Sequence, residues 1–181
     1  MGGPLVEYAG VPIALPIGSV GYAHGISEKT NVHGAVYPTV IGAPGLDLGV
    51  ATELRAPGNG GPRLMADTTI YAFTGKQPDD LPEGGARVFP DVQLIAAWPT
   101  EKRTGYLGID NFFAPGAPFR YYPSPLVGGE LRAGRVGFQG EWMWLAWNRK
   151  NSEGVPRWYG IGGQGVMSVH LGLNLYLGSQ E

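Results

Sequence analysis

The stretch that decides the fold lies near the end of the chain and reads Met167-Ser168-Val169-His170-Leu171-Gly172-Leu173-Asn174-Leu175-Tyr176-Leu177. Its odd positions are all large and apolar, whereas its even positions are polar, small or amphipathic. A period of two held over this length predicts one β-strand with an apolar face and a polar face. The length is about that of a strand that crosses a bilayer at a tilt, roughly 9–11 residues.

Seven upstream segments also read as strands separated by turn signals, and no segment reads as an amphipathic helix. The eight predicted strands cover 19–27, 31–41, 46–55, 64–73, 91–98, 105–113, 132–148 and 167–177. We therefore predict an all-β fold, an eight-stranded antiparallel up-and-down β-barrel formed by residues 19–181. The proline- and tyrosine-rich segment 114–129 is expected to be a connection. Residues 1–18, interrupted by three prolines, are expected to form an irregular N-terminal arm that lies against or inside the barrel.

The composition excludes several classes of function. The chain has 181 residues, of which 15% are charged, against roughly 25% in soluble globular domains. The net charge of −2 leaves no basic footprint for nucleic acid. The absence of cysteine excludes disulfides, thiolate catalysis and cysteine-ligated metals, and we expect no cofactor.

The orientation of the two strand faces decides between a membrane barrel and a soluble one, because both show the same alternation. Polar faces that combine charges with very small residues, such as Asp47 with Gly49 and Arg135 with Gly137, suit the narrow interior of a small barrel. Aromatic residues near the predicted strand ends are typical of interfacial girdles. These aromatic residues are Tyr37, Phe73, Trp98, Phe112, Phe113, Trp147 and Tyr176. Both features favour a transmembrane barrel with its apolar face in lipid.

In architecture and in the ending Leu171-Gly172-Leu173-Asn174-Leu175-Tyr176-Leu177, residues 19–178 resemble the small eight-stranded outer-membrane proteins of Gram-negative bacteria, the OmpA transmembrane domain and OmpX type. The resemblance implies localisation in the bacterial outer membrane, contact with its lipid and lipopolysaccharide, and no enzymatic activity. It also implies short connections after the fourth and sixth strands, and here both are long. Either the strand number differs by one or these connections carry additional structure. Met1-Gly2-Gly3-Pro4 lacks the features of a signal peptide, so we expect the exported chain to be the processed form.

The polar faces supply candidates for an interior network. These are Asp47, Glu53, Arg55, Asp67, Asp91, Asp110, Arg135, Glu141 and His170. Because an isolated buried charge is costly, we expect Arg55 and Arg135 to be bracketed by carboxylates, above all Glu53, Asp110 and Glu141. A salt-bridge network that fills the barrel is the expected role, and a proton or ion path is the alternative.

Three further constellations carry weaker signals. Ser168 and His170 share a strand face, as a nucleophile and base would, but the outer-membrane lipid A deacylases use the reverse order His-x-Ser. The three histidines His24, His33 and His170 have no metal-ligand spacing. Arg157, Trp158 and Tyr159 have the composition of interface anchors and are candidates for partner contact.

The sequence thus predicts an integral outer-membrane β-barrel with a charged, filled interior and a structural or partner-docking role. Its expected partners are outer-membrane lipid, lipopolysaccharide and another envelope protein. The alternative is a soluble calycin-like barrel that binds a small apolar ligand, in which Asp47, Glu53 and Arg135 would be solvated. A lipid A-modifying hydrolase is the third hypothesis.

Overall fold

The computed structural model describes residues 2–8, 11–14, 18–38, 44–58, 60–73, 87–114, 120–150, 157–158, 161 and 164–177. All regular secondary structure in these residues is β-strand, which confirms the predicted all-β class. The strands are β1 (Gly2–Tyr8), β2 (Val11–Ala14), β3 (Val20–Gly25), β4 (Thr30–Tyr37), β5 (Gly45–Arg55), β6 (Arg63–Phe73), β7 (Arg87–Pro99), β8 (Arg103–Ala114), β9 (Arg120–Ala133), β10 (Val136–Lys150), β11 (Arg157–Trp158) and β12 (Gln164–Leu175). Within these ranges no helix is long and apolar enough to cross a membrane.

Nine of the described strands form one antiparallel up-and-down sheet that curls into a half-barrel. Their order is β3-β4-β5-β6-β7-β8-β9-β10-β12, so each pairs with its neighbour along the chain apart from the short β11. β1 extends the sheet beyond β12, and β2 and β11 both pair with β1. The antiparallel up-and-down connectivity is as predicted, but the sheet contains one strand more than the eight expected from the sequence.

The additional strand is β9, most of which the sequence analysis assigned to a connection. Pro123 and Pro125 caused this error, because proline cannot donate to a strand ladder and is confined to places where no bond is lost. β10 pairs with β9 only from Leu126 onward, so residues 120–125 pair with β8 alone. There β10 bulges at Ala146, which has a φ of 47°, and its amide donates to Ser124 Oγ at 3.1 Å.

The N-terminal segment also differs from its prediction, since Gly2–Tyr8 and Val11–Ala14 are strands and not an irregular arm. The backbone of β1 pairs with Ser168–His170 at the edge of β12. Pro4 stands opposite Ser168 in this pairing. The pairing of β1 with β2 begins only at Leu5, so among the described strands Pro4 has a partner on one side alone and needs no ladder bond on the other.

The two faces of the sheet differ sharply in exposure. Asp47, Thr69, Asp91, Ser124 and Ser168 are buried on one face, which we call the inner face because the curl of the sheet covers it. The opposite, outer face exposes the large apolar side chains of the same strands. Among them are Leu46, Leu48, Val50, Ile70, Leu94, Leu107, Val127, Leu131, Phe138, Leu171, Leu173 and Leu175.

The connections give the two ends of the sheet different characters. The tightest, 100–102 and 134–135, join strands at one end, the tight-turn end, where β12 also finishes. The longest, 74–86 and 151–163, join strands at the opposite, long-loop end. The resemblance predicts short connections at the end of the sheet where the last strand finishes. With β9 counted, the long connection 74–86 lies at the opposite end and no longer conflicts with that prediction.

Candidate functional site: the inner face of the sheet

Strand register brings seven of the predicted interior residues onto the inner face. These are Asp47, Glu53, Asp67, Asp91, Asp110, Glu141 and His170. The alternation places every second residue of each strand on this face, so the sequence pattern was sufficient to find them. The register also adds His33, Tyr37, Tyr106 and Glu130, which the sequence analysis did not assign to the network.

The two predicted arginines are not part of this site. Arg55 is exposed at the end of β5, after a register shift, and Arg135 is exposed in the turn between β9 and β10. The sequence analysis read 132–148 as one strand, whereas Gly134 has a φ of 60° and turns the chain there. Glu53 instead pairs with Arg63, whose Nε lies 2.9 Å from Glu53 Oε2.

The imidazole of His33 lies between the carboxylates of Asp47 and Asp67. Its Nε2 lies 2.9 Å from Asp67 Oδ2, and its Nδ1 lies 3.9 Å from Asp47 Oδ1. Thr69 donates to the other oxygen of Asp67 at 2.7 Å. The contact between His33 and Asp67 passes over Gly49 of β5, where an added Cβ would lie 2.5 Å from the His33 ring. The small residue on the polar face thus makes room for a contact between β4 and β6.

Tyrosine hydroxyls satisfy the other carboxylates. Tyr37 donates to Asp47, and Tyr106 donates to Glu141 at 3.1 Å. Tyr176 donates to Glu130, whose second oxygen accepts from Asn174 at 2.7 Å. Burial and the bond to Glu130 raise the pKa of Tyr176 to about 12. The network therefore consists largely of neutral donors on carboxylates, where the sequence analysis expected arginines.

Asp91 and Asp110 form the most deeply enclosed carboxyl pair. Asp91 is 4% exposed, and its carboxyl group lies next to that of Asp110 on the inner face of the paired strands β7 and β8. The Oδ1 atom of each is buried and has no hydrogen-bond partner among the described residues. Two carboxyl groups in such contact cannot both carry a charge cheaply, so the pair is expected to hold a proton. No group of three or more His, Asp or Glu side chains in the described residues could hold a metal ion.

Ser168 and His170 are hydrogen-bonded, with Ser168 Oγ 2.7 Å from His170 Nε2. Ser168 is fully buried, and the backbone of β1 pairs alongside it. In the part of the chain that the structure describes, no carboxylate hydrogen-bonds the imidazole of His170. The arrangement satisfies the buried Ser168 hydroxyl with the more exposed His170 ring, and it offers a lipid no access to the hydroxyl. His24, on the outer face of β3, stacks on Tyr22 and does not approach the other two histidines.

A layer of aromatic rings crosses the inner face at the long-loop end. The rings of Tyr37, Tyr71, Phe73, Phe89, Phe112 and Tyr122 contact one another in sequence, with centroids 5.1 to 6.5 Å apart. Four of the aromatics taken from the sequence as girdle residues, Tyr37, Phe73, Phe112 and Tyr176, thus lie on the inner face. A position near a strand end suggests a girdle residue, but it does not show whether the side chain lies on the inner or the outer face of the sheet.

At the tight-turn end the inner face opens into a cavity of about 310 Å³. Basic side chains dominate its lining, and Tyr106, Glu130, Gln139 and Tyr176 form its inner wall. The partner-contact candidates lie elsewhere. Arg157 and Trp158 form β11, whose backbone pairs with β1, and Tyr159 lies outside the described residues.

Comparisons of the chain with protein-family models, curated proteins and solved structures give no match.

Proposed function

We propose that this chain is an integral β-barrel protein of the bacterial outer membrane, with a polar inner face and a structural or partner-docking role. The observation that carries this proposal is the reversed burial of the two sheet faces. Leu48 is 67% exposed on the outer face, whereas its neighbour Asp47 is 7% exposed on the inner face. A lipid-facing barrel needs this arrangement, with apolar side chains outward and polar side chains inward.

The outer face has the composition of a surface in contact with hydrocarbon. No Asp, Glu, Lys or Arg occupies an outward position in β5 to β9, in β10 up to Trp144 or in β12, when the first and last residue of each strand are left out. A charge at the bilayer midplane costs about 2–4 kcal/mol on such a face. Water would impose no comparable restriction.

Aromatic residues of the outer face support the same proposal. Trp98 and Phe138 lie near the tight-turn end, whereas Phe113, Tyr121 and Trp144 lie near the long-loop end. Phe113 and Tyr121 stack with centroids 5.3 Å apart. Trp142 of β10 lies between these two groups on the same face. Aromatic residues gathered toward both ends of a lipid-facing surface are typical of the girdles of membrane barrels.

The proposal includes closure of the sheet, because an open edge in lipid would leave backbone groups unsatisfied. β2 stands at one margin of the sheet and β3 at the other, and only residues 15–19 join them. Laid flat, the strands from β3 through β12 to β2 would span about 48 Å at 4.8 Å per strand. The connection reaches at most about 22 Å from Ala14 to Val20. The two margins must therefore approach, and we infer that β2 and β3 close the barrel between β1 and β4.

The proposed partners are outer-membrane lipid and lipopolysaccharide around the outer face and, at the long-loop end, another envelope protein. The soluble calycin-like alternative requires an apolar interior with Asp47, Glu53 and Arg135 in water, and of these three Arg135 is exposed. Both carboxylates lie on the inner face, which favours the membrane proposal. The buried apolar side chains that form the core of the described residues, Ala97, Leu126 and Met143, are too few for an apolar ligand pocket.

Refolding with and without detergent tests the proposal. We expect the compact form, which migrates faster unheated than boiled on a gel, to appear only with micelles or lipid vesicles. A monodisperse folded monomer in detergent-free buffer would overturn the membrane proposal and leave the soluble barrel in its place.

A further inference from the structure

The cavity at the tight-turn end gathers positive charge. Arg63, Lys102, Arg103 and Arg132 line it, against the acidic residues Glu101 and Glu130. The cations come from separate places in the sequence, namely the start of β6, the turn before β8 and the end of β9. Their meeting is a product of the sheet topology and could not be read from the sequence.

Three of these cations have no carboxylate in ion-pair contact among the described residues. Arg63 is engaged by Glu53, whereas Lys102, Arg103 and Arg132 are not so engaged. Glu130, the acid of the inner wall, already accepts from Tyr176 and Asn174. The four basic side chains of the lining outnumber its two acidic ones, so the cavity carries net positive charge, which attracts an anion from solution.

The Arg132 side chain is held in place before any ligand arrives. Its guanidinium lies 3.9 Å from the centre of the Tyr176 ring, and its Nε donates to the carbonyl of Gly134 at 3.2 Å. Among the described residues, no hydrogen bond uses its terminal nitrogens. A guanidinium whose position is fixed loses little entropy when it binds a carboxylate or phosphate in two-point fashion.

The opposite end of the inner face is occupied by the aromatic layer, so the cavity is open toward the tight-turn end. Its volume, about 310 Å³, is at the lower limit for small-molecule sites and fits a ligand the size of one sugar ring. Gln139 and Tyr106 add neutral hydrogen-bonding groups to the inner wall.

We propose that the cavity at the tight-turn end binds an anionic polar solute of about monosaccharide size, a sugar phosphate or a sugar acid. The anionic group would contact Arg132, Lys102 and Arg103, and the hydroxyls would face Gln139 and Tyr106. This site rests on the inner face alone and does not depend on whether lipid or water covers the outer face.

Calorimetric titration of the folded protein, in whichever medium keeps it folded, tests the site. The probes are glucose 6-phosphate, glucuronate and, as the neutral comparison, glucose. We expect saturable 1:1 binding of at least one anionic probe, and glucose should bind at least about tenfold more weakly, because a hydrogen bond between two charged groups is roughly twice as strong as a neutral one. Binding of both anions would identify charge as the determinant, and binding of one would identify the sugar phosphate or the sugar acid as the class.

Substitutions localise the binding. Arg132→Gln and Lys102→Gln should each weaken the anionic probe about fivefold or more, and Lys102 lies in an exposed turn whose substitution leaves the fold intact. Arg135→Gln removes an equal charge from the neighbouring turn, outside the cavity lining, and should change nothing. The proposal is wrong if the wild type binds no anionic probe at 20-fold molar excess in the millimolar range, or if Arg135→Gln weakens binding as much as Lys102→Gln.

Discussion

On the inner face, carboxylates are stabilised one by one by the side chain that the register places beside them. His33 lies beside Asp67, the Tyr37 hydroxyl donates to Asp47, and the Tyr106 hydroxyl donates to Glu141. A hydroxyl satisfies a carboxylate without adding a second charge that must itself be desolvated. This explains how an interior with more acids than bases remains hydrogen-bonded.

The space above Gly49 should be indispensable to the His33–Asp67 pair. In Gly49→Ala the new methyl group overlaps the His33 ring and Thr69 Oγ1, so one of them must move. We expect the free energy of unfolding to fall by about 1–3 kcal/mol, measured from urea titrations in lipid vesicles. Gly105→Ala, on the outer face of β8 with open space around the added Cβ, is the control and should unfold as the wild type does.

Removing the hydroxyl of Tyr37 should lower the free energy of unfolding more than removing an exposed hydroxyl. Tyr37→Phe leaves one oxygen of the buried Asp47 without its donor, since the other oxygen accepts from the Ala35 amide. We expect a loss of about 1–3 kcal/mol of unfolding free energy in the same titrations. Tyr121→Phe removes a hydroxyl that donates to Asn111 on the exposed outer face, and a loss there equal to that of Tyr37→Phe would contradict this account.

At the scale of the strand, the two faces of β5 lie in different environments. Its outward residues are apolar and exposed apart from the half-buried Thr52, whereas Asp47 and Gly49 are buried inward. The same residue type can therefore be tested at two depths of the outer face on one strand. Leu48 lies in the middle of the strand, and Leu54, 63% exposed, lies near its tight-turn end.

Arginine at these two positions separates lipid from water. In a bilayer, Leu48→Arg should cost about 2–4 kcal/mol of unfolding free energy and Leu54→Arg about 0–1 kcal/mol, because the cost depends on depth. The measurement is the urea midpoint of folding into vesicles for the two variants and the wild type. In water both are exposed surface substitutions worth about 0.5 kcal/mol or less, so equal small effects would argue against a lipid-facing β5.

At the scale of the whole molecule, closure of the sheet has a local signature on β3. Amides of β3 that point away from β4 would exchange within seconds in an open sheet, and closure should protect them. We expect hydrogen exchange measured by NMR to find protection at every amide from Val20 to Gly25. The alternate amides bonded to β4 are the internal reference, and rapid exchange confined to the others would show an open margin.

The aromatic layer predicts the transport behaviour of the molecule. Because contacting rings from β4 to β9 cross the inner face at the long-loop end, we expect no steady ion conductance in planar bilayers. Phe112→Ala removes the ring that contacts Tyr71, Phe89 and Tyr122, and should introduce a measurable leak. Phe113→Ala, on the outer face of the same strand, is the matched control. Steady conductance of the wild type would show that the layer does not block the interior.

The sequence by itself determined the class of fold and the two faces of the strands. Period-two alternation is a local property, so the segment 167–177 and β5 were assigned with their polar residues correctly grouped. It also placed Asp47, Asp67, Asp110 and Glu141 on one common face, because a strand presents every second residue to the same side.

Only the tertiary structure decided which side chains meet. β9 was missed because the prolines at 123 and 125 indicate a loop unless it is known that β10 leaves them unpaired. Arg135 was misplaced because the turn at 134–135 joins two strands of similar composition. The pairing of His33 with Asp67 and the gathering of Arg63, Lys102 and Arg132 depend on register and curvature, which are set by contacts between residues distant in sequence.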